Sequence, residues 1–507
     1  MVSKVTSGAI LGVDGYIVEV EVDVSQGLPG FDIVGLPDSA VKESRERVRT
    51  AIKNTGHTFP IKQVTVNLAP ADTRKAGPVY DLPIAVGIMQ CIGILEQDLF
   101  AGCFFVGELS LTGAVRPVNG VLPMVIAARA KGVSRCFVPK ENAEEAALVT
   151  GITIYPLSDL AELAQHKDGD EIKPYTQQAD PFFEKNASVY AMDFSDVKGQ
   201  TGVKRALEIA AAGYHNVLMI GPPGAGKTML ANRLPTTLPD LTNEESIEIT
   251  KIYSIAGRLD RKNALITTRP FRTPHHTASH MSLTGGGRIP TPGEISLAHN
   301  GVLFLDELPE FQKKALEILR QPLEDGRVTI SRVGGVCTYP CFFLLMASMN
   351  PCPCGYYGSG KCKCTQGEIA KYLGKISGPL LDRIDIQVEA AAVEYDNLSG
   401  GKQGETSAEI KKRVVKAQQL QQNRFKNDGI RFNSQMTASM VDMHCKLEKE
   451  ERLMLKQAFE NMGLSARAYH KLLKIARTIA DLSSDAQISA VHLAEAISYR
   501  SLDRKYW

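Results

Sequence analysis

A glycine-rich segment near the middle of the sequence has the residue types that bind a phosphate group. Residues 221–228 read GPPGAGKT, directly after the apolar run NVLMI and before the helical pattern MLANRL. Glycine lets successive backbone N–H groups turn toward phosphate oxygens, and the following helix N-terminus adds a favourable dipole. Lys227 is expected to contact the β and γ phosphates, and Thr228 to bind magnesium. The pattern predicts an ATP site, instead of a glycine turn without ligand, formed by Gly221, Pro222, Pro223, Gly224, Ala225, Gly226, Lys227, Thr228 and Met229.

Two later strand-like runs end in polar residues that could complete this chemistry. In GVLFLDE, Asp306 can hold magnesium and Glu307 can polarise the attacking water. The run CFFLLMASMN ends in Asn350, which could sense the γ phosphate. Paired acids are also common surface features, and Asn before Pro is also an ordinary turn signal. The order of the runs favours a single ATPase site whose catalytic residues include Lys227, Asp306, Glu307 and Asn350.

Four cysteines lie close together in the segment CPCGYYGSGKCKC. Two Cys-x-Cys pairs stand seven residues apart, and their members are Cys352, Cys354, Cys362 and Cys364. Four thiolates in so short a loop can surround a tetrahedral zinc ion. Free thiols and redox pairing are the alternatives, because one residue inside each pair is less usual than two. We predict a zinc knuckle over residues 352–364, with Lys361 and Lys363 as candidates for DNA contact.

Two polar, basic segments could face a nucleic acid. The first is the insertion FRTPHHTASHMSLTGGGRIPTPGEISLAHN, which we expect to be a mobile loop, because no acid or cysteine spacing supports a closed metal site around its histidines. The second is the hairpin EDGRVTISRVGGV, for which a merely solvated hairpin is the alternative. Basic side chains of this kind contact phosphates without reading the base sequence. The candidates are Arg272, His275, His276, Arg288, Arg327 and Arg332.

Changes in hydrophobic pattern divide the chain into four parts. Residues 1–164 mix short alternating strands with helices, as in an α+β domain, and residues 165–188 have the polar composition of a linker. Residues 189–395 alternate helices with strands that are apolar on both faces, which predicts a parallel sheet covered by helices. Residues 396–507 show long amphipathic helices without a strand signal. The predicted fold class is therefore α/β, followed by a helical domain.

Composition and charge limit the class of protein. The 507 residues are too many for one compact core, and a net charge of +2 provides no global basic field, so DNA contacts must come from local clusters. No apolar run approaches membrane-spanning length, and the N-terminus alternates like a strand instead of resembling a secretion signal. We therefore expect a cytoplasmic protein with reduced thiols and no membrane partner.

The motifs together resemble the magnesium-chelatase-like AAA+ ATPases of the ComM/YifB branch. This resemblance rests on the phosphate loop, the acidic strand and the strings NPCPCG, SGPLLDRIDI and ARTIADL. It implies a homo-hexameric ring in which Arg383 is a finger that reaches the γ phosphate of a neighbour, and Arg467 is the second sensor. From the residues alone, Arg383 would be salt-bridged between Asp382 and Asp385, and Arg477 could replace Arg467 in its role.

The N-terminal domain resembles the Lon protease catalytic domain, through DTRKAGPVYDLPIAVGI and the following VGELSLTGAVRPVNGVLPM. Where that family has its nucleophilic serine this chain has Val79, and Leu122 replaces the activating lysine. Two hydrocarbon side chains cannot act as nucleophile and base, so peptidase activity is rejected. We expect this domain to be an assembly collar or a DNA guide.

The resemblance implies an ATP-driven DNA helicase or branch-migration motor acting on recombination intermediates, for example while transforming DNA is integrated. The expected partners are single-stranded and branched DNA, with recombinase filaments as a further candidate. The alternatives are a magnesium-chelatase motor subunit and a protein-remodelling AAA+ ATPase. Chelatase motors generally lack the fused collar and the cysteine knuckle, and they need a porphyrin-binding partner that this chain does not contain.

Overall fold

The computed structural model describes residues 2–166, 172–176, 192–260, 263–287, 290–332, 335–358, 360–391, 404–462, 465–502 and 506. Among these residues, no helix is both long enough and apolar enough to cross a bilayer.

The N-terminal domain, called the collar below, is built on a seven-stranded mixed sheet. Its strand order is β3-β4-β2-β1-β5-β8-β9. Residues of β4 alternate between buried and partly exposed, because one face of the sheet packs against helices. The strands are β1 (Val2–Leu11), β2 (Asp14–Ser25), β3 (Gly30–Val34), β4 (Gln63–Ala69), β5 (Phe104–Phe105), β6 (Glu108–Leu109), β7 (Val115–Arg116), β8 (Arg135–Pro139) and β9 (Thr153–Leu157). The helices are α1 (Ser39–Asn54), α2 (Asp81–Cys91), α3 (Val121–Ala130), α4 (Ala143–Ala146) and α5 (Ala161–Gln165).

Part of the segment predicted as a linker lies against the collar. The N–H of Tyr175 donates to the carbonyl of Ile154 at 2.8 Å, so this residue continues the hydrogen bonding of edge strand β9. Ile172 and Tyr175 also pack on the apolar core of the collar. Residues 167–171 and 177–188 of the predicted linker lie outside the described residues.

A five-stranded parallel sheet forms the centre of the second domain, in the order β11-β14-β17-β10-β18. Strands β10, β14 and β17 are buried at every position, because helices cover both faces of the sheet. The strands are β10 (Val217–Ile220), β11 (Phe271–Arg272), β12 (Gly285–Gly286), β13 (Thr291–Pro292), β14 (Val302–Leu305), β15 (Arg327–Arg332), β16 (Gly335–Pro340), β17 (Leu344–Met349) and β18 (Ile386–Glu389). The helices are α6 (Thr201–Gly213), α7 (Lys227–Arg233), α8 (Asn243–Ile255), α9 (His280–Thr284), α10 (Glu294–Leu297), α11 (Lys313–Ile318), α12 (Arg320–Asp325), α13 (Gln366–Leu373) and α14 (Gly378–Leu381). This α/β core confirms the predicted fold class.

The long insertion differs from the mobile loop that the sequence predicted. Its first residues form edge strand β11, and it continues through α9, the β12 and β13 hairpin, and α10. Leu283 and Ile295 are fully buried in the same apolar cluster as β14, and this burial orders the segment. Ser279 caps α9 by accepting from the N–H of Ser282 at 3.1 Å.

Five helices make up the described C-terminal region, which agrees with the predicted helical domain. They are α15 (Ser407–Arg424), α16 (Ala438–His444), α17 (Lys449–Met462), α18 (Ala466–Ser483) and α19 (Ala490–Ser498). Their apolar faces share one core with α6 and with strands of the parallel sheet. The contact is tightened by buried polar bonds, such as that of Gln421, whose side-chain amide donates to the carbonyl of Ala212 at 2.9 Å.

The collar is joined to the parallel-sheet domain through a buried carboxyl group. Glu145 accepts hydrogen bonds from the hydroxyl of Ser254, at the end of α8, and from the N–H of Leu122 at 2.8 Å. Asn142 donates a further bond at 3.1 Å. Burial raises the pKa of Glu145, and these hydrogen bonds oppose the rise.

Candidate active site

The glycine-rich loop joins the end of β10 to the start of α7. Gly224 and Gly226 have φ angles of 77° and 80°, and an added Cβ at either position would meet nothing within 4 Å. Backbone conformation, and not crowding, is therefore the reason for glycine at these positions. Because α7 begins at Lys227, the unpaired N–H groups of its first turn lie beside the loop.

The amine of Lys227 joins the loop to the end of β17. It donates to the carbonyls of Gly221 at 2.7 Å and Pro222 at 3.0 Å, and to Oδ1 of Asn350 at 3.1 Å. The residue is 9% exposed, and burial lowers the pKa of its ammonium while the two acids after β14 oppose the shift. The tertiary structure thus brings together Lys227 and Asn350 from separate motifs.

Asp306 lies between the loop and β17. Its Oδ2 accepts from the hydroxyl of Thr228 at 2.7 Å, and its Oδ1 accepts from the hydroxyl of Ser348 and from the N–H of Glu307 at 3.0 Å. A hydroxyl and a carboxylate that already touch are a suitable oxygen pair for Mg²⁺. Ser348 was not among the predicted site residues, although its position two residues before Asn350 was a usable signal.

Glu307 follows β14, and its side chain contacts a histidine from the insertion. Its φ is 53°, in the left-handed region that non-glycine residues seldom occupy, and its side chain is 57% exposed. Nδ1 of His276 lies 3.5 Å from Oε2 of Glu307. His276 was predicted to contact DNA, but in the structure it faces the acid expected to polarise water.

Gln200 supports the loop from outside the motif. Its side-chain amide donates to the carbonyl of Ala225 at 3.1 Å and to that of Ala391 at 2.6 Å. The residue therefore bridges the phosphate loop and the end of β18. Sequence reasoning missed Gln200, because nothing in the local sequence indicates a contact with residues so far along the chain.

Arg383 lies at the opposite end of β10 from the phosphate loop. Its carbonyl accepts from the side chain of Asn216, the residue before β10, at 2.9 Å, whereas Gly221 follows the other end of the strand. Its guanidinium pairs with Glu324, and not with Asp382 or Asp385 as the residues alone suggested. Together with residues of the helical domain, Arg383 lines a cleft of about 810 Å³.

Arg467 lines the same cleft as Arg383. Its side chain is 67% exposed, and its guanidinium lies 3.7 Å from Asp382. The alternative residue, Arg477, is on the same helix but is buried, and it pairs with Asp481 and donates to backbone carbonyls. Arg477 therefore holds the helical domain together, whereas Arg467 stays exposed in the cleft.

The four cysteines of the knuckle converge on one point. Their sulfur atoms all lie within 4.8 Å of one another, with pairs at 3.4, 3.7 and 3.8 Å. Tetrahedral zinc with bonds of about 2.3 Å requires sulfur atoms about 3.8 Å apart, so this donor set fits zinc. Backbone N–H groups of Lys363 and Tyr356 lower the pKa of Cys354 to about 6, which favours the thiolate that binds metal.

The knuckle packs on the phosphate loop. It begins two residues after Asn350, and a Cβ added to Gly355 would lie only 2.5 Å from Cδ of Pro223. The φ of Gly355 is 83°, which also favours glycine. A metal held by the cysteines would consequently stiffen one wall of the ATP site.

The predicted DNA-contact residues fall into different environments. Arg272 is part of β11, and its guanidinium pairs with Glu294 at 2.6 Å, so its charge is satisfied within the chain. Nδ1 of His275 bonds the hydroxyl of Thr277 at 2.8 Å, and Arg288 lies outside the described residues. The candidates with exposed side chains are Arg327, Arg332, Lys361, Lys363 and His275.

The collar carries no serine and lysine pair at the positions that the Lon resemblance pointed to. Val79 borders a cavity of about 410 Å³ between the collar and the parallel-sheet domain, and Leu122 is fully buried. The Leu122 backbone instead supports the Glu145 contact with the second domain. These side chains offer packing at the domain boundary and no nucleophile.

Comparison with known protein families agrees with this arrangement. The family described as "Magnesium chelatase, subunit ChlI" matches residues 193–398, and its C-terminal counterpart matches residues 404–500. The family described as "Subunit ChlI of Mg-chelatase" matches residues 20–142 within the collar.

Curated relatives extend the similarity to the whole chain. Competence protein ComM of Haemophilus influenzae is 44% identical, over 99% of this chain and 97% of its own length. The uncharacterized protein YifB of Escherichia coli is 43% identical, also over 99% and 97%. Lon protease 2 of Bacillus subtilis is 28% identical over 32% of each chain, which accords with the Lon-like collar. The chain therefore belongs to the ComM/YifB group of magnesium-chelatase-like AAA+ proteins.

Proposed function

We propose that this protein is an ATP-driven, hexameric DNA motor, a helicase or branch-migration factor that acts on recombination intermediates. The observation that carries the proposal is the separation of Lys227 and Arg383 to opposite ends of β10. An arginine at that end can stabilise transition-state charge only on a nucleotide held by another copy. Arg467 lines the same cleft as Arg383, so it would act on the same ATP site of the neighbouring copy.

In the proposed site, each predicted residue has one task. Lys227 and the loop N–H groups hold the phosphates, while Thr228 and Asp306 hold magnesium. Glu307 orients the attacking water, and Asn350, which already contacts Lys227, reports on the γ phosphate. A heterologous contact of this kind forms a closed ring when its rotation returns to the starting copy, and the proposed hexamer requires that closure.

DNA is the proposed track for two reasons. The relative named competence protein ComM is similar over nearly its full length, which makes DNA uptake and its integration the favoured context. In addition, Arg327 and Arg332 are exposed at the two ends of β15, the first strand of the β15 and β16 hairpin. Exposed arginines on a hairpin suit phosphate contacts without base readout.

Zinc is proposed as a structural ion in the cysteine knuckle. Cys352 is buried in the apolar cluster beneath the loop, and the other three sulfur atoms complete the set. A closed set of four thiolates leaves no open position for a reacting ligand, so the metal would support the fold and not catalysis.

The decisive experiment measures ATP turnover with and without forked DNA. Wild-type protein should hydrolyse ATP faster with forked DNA and should unwind the fork. Lys227→Ala should lose both activities by about 100-fold or more, because the amine that contacts the phosphates is gone. Lys314→Ala, which removes an exposed lysine of α11 that is not among the predicted site residues, is the matched control and should behave as wild type.

A magnesium-chelatase motor subunit is the second candidate, because all the matching families carry chelatase descriptions, including the one that matches the collar. A protein-remodelling ATPase is the third. Turnover that no DNA structure stimulates would reject the leading proposal. Stimulation by a porphyrin-binding partner or by an unfolded protein would then favour the second or third candidate respectively.

A further inference from the structure

The guanidinium of Arg383 is held inside its own chain by helix α12. Nε donates to the carbonyl of Arg320 at 3.1 Å, and Nη2 pairs with the carboxylate of Glu324. Nη1 donates to the carbonyl of Pro379 at 2.6 Å. With its side chain only 10% exposed, Arg383 cannot reach a neighbour's phosphate until the two contacts with α12 and the one with Pro379 are broken.

Helix α12 is also the base of the β15 and β16 hairpin. It ends at Asp325, and the next residue, Gly326, has a φ of 63° and turns the chain directly into β15. The N–H of Gly326 donates to the carbonyl of Pro322 at 3.0 Å, and the N–H of Cys341, just after β16, donates to the carbonyl of Gly326 at 2.8 Å. Both strands of the hairpin are therefore tied to one end of α12, so hairpin and helix should move as a unit.

Space for such a movement exists beside the arginine. A groove of about 650 Å³ is bounded by α12, by β15 including Arg332, and by Arg383 itself. Glu324 lines both this groove and the cleft shared with Arg467, and its side chain is 54% exposed. The carboxylate thus stands between the hairpin and the face on which a neighbouring copy would bind.

We propose that Glu324 is a positioning residue that latches Arg383 to the base of the β15 and β16 hairpin and releases it when the hairpin binds a polyanionic strand. This inference rests on the proposed function. A strand that contacts Arg327 and Arg332 would shift the hairpin, and α12 would carry Glu324 and the Arg320 carbonyl away together. Binding can drive this change only if the strand prefers the released state, which a moved hairpin provides.

The test compares steady-state ATP turnover of Glu324→Gln and wild-type rings, with and without forked DNA. Because Glu324 is half-exposed and solvent screens its charge, the ion pair is worth a factor of about two to five. Basal kcat should therefore rise by about that factor, while the stimulation by DNA falls by the same factor. KM for ATP should not change, because the freed Arg383 is proposed to stabilise charge that develops only in the transition state. Glu324→Asp, which keeps the charge, should fall between wild type and Glu324→Gln.

Glu317→Gln is the matched control. Glu317 precedes α12 by one turn and pairs with the side chain of Arg320 at 2.9 Å, without contacting Arg383. This variant should keep the wild-type basal rate and stimulation. If Glu324→Gln has an unchanged or lower basal kcat and normal stimulation by DNA, the latch is refuted, while the proposal of a DNA motor still stands. Raised basal kcat in a protein that no DNA stimulates supports the latch and rejects the DNA motor.

Discussion

Mixing two inactive variants tests whether each ATP site is built from two copies. Lys227→Ala removes the phosphate contact, and Arg383→Ala removes the proposed finger. Asn216 and Gly221, which flank the four residues of β10, lie about 16 Å apart, at about 3.3 Å per residue. Because the sheet is buried on both faces, Arg383 cannot cross this distance to its own phosphate loop. Each variant alone should therefore be inactive, with Arg383→Ala losing about 10³-fold or more.

Rings assembled from equal amounts of both variants should regain part of the activity. An intact site needs an Arg383→Ala copy, which keeps its phosphate loop, beside a Lys227→Ala copy, which keeps its arginine. Random assembly forms that pair at about one interface in four, so turnover should recover to about a quarter of wild type if sites act independently.

The assay uses two affinity tags, one on each variant, so that only rings containing both copies are purified before ATP turnover is measured. Rings of Lys227→Ala with the double variant Lys227→Ala and Arg383→Ala have no intact phosphate loop, and they must stay inactive. If doubly tagged rings are no faster than either variant alone, the shared site is refuted. Wild-type turnover of Arg383→Ala by itself would refute it equally.

Four further results are expected. Elemental analysis of protein purified without chelator should find about one zinc per chain, and finding none would remove the metal site. Gly355→Ala should displace Pro223 and so weaken ATP binding, which is measured with a fluorescent nucleotide. Unchanged affinity would contradict a coupling between the knuckle and the phosphate loop. Asp385→Asn should lower the free energy of unfolding, measured by denaturant titration, by about 3–5 kcal/mol. The reason is that the nearly buried ammonium of Lys471, which lies 2.9 Å from Asp385, loses its charged partner. A loss below about 1 kcal/mol would contradict the importance of this ion pair. Burial raises the folded-state pKa of Glu145 from 4.5, so the stability that its protonated form confers is full below about pH 4.5 and is lost as pH rises through the raised pKa. Glu145→Gln should flatten this part of a plot of the free energy of unfolding against pH. An identical plot for the variant and the wild type would contradict the assignment.

Much of the fold and the centre of the site were predictable because their signals are local. The parallel strands are continuous apolar runs, which only a sheet covered on both faces can bury. The phosphate loop and the cysteine knuckle are contiguous segments, so their ligands are near one another in any fold that preserves the turns. The strand order then brings Asn350 beside Lys227.

The insertion shows where local patterns were insufficient. Its polar composition predicted a mobile loop, yet the burial of Leu283 and Ile295 orders it, because isolated apolar residues become anchors only when a complementary surface lies opposite. That order carries His276 to Glu307, a pairing across separate segments that no spacing indicates.

The sequence by itself determined the groups that can bind phosphate and metal, since these depend on residue types a few positions apart. Only the tertiary structure decided which arginines remain available to contact a ligand or a neighbouring copy. Arg272 and Arg477 are neutralised by acids within the chain, Arg467 stays exposed, and Arg383 is held by a carboxylate at the base of a hairpin. The reason is physical: a charged group is committed or free according to the partners that folding brings within a few ångströms, and those partners come from distant parts of the chain.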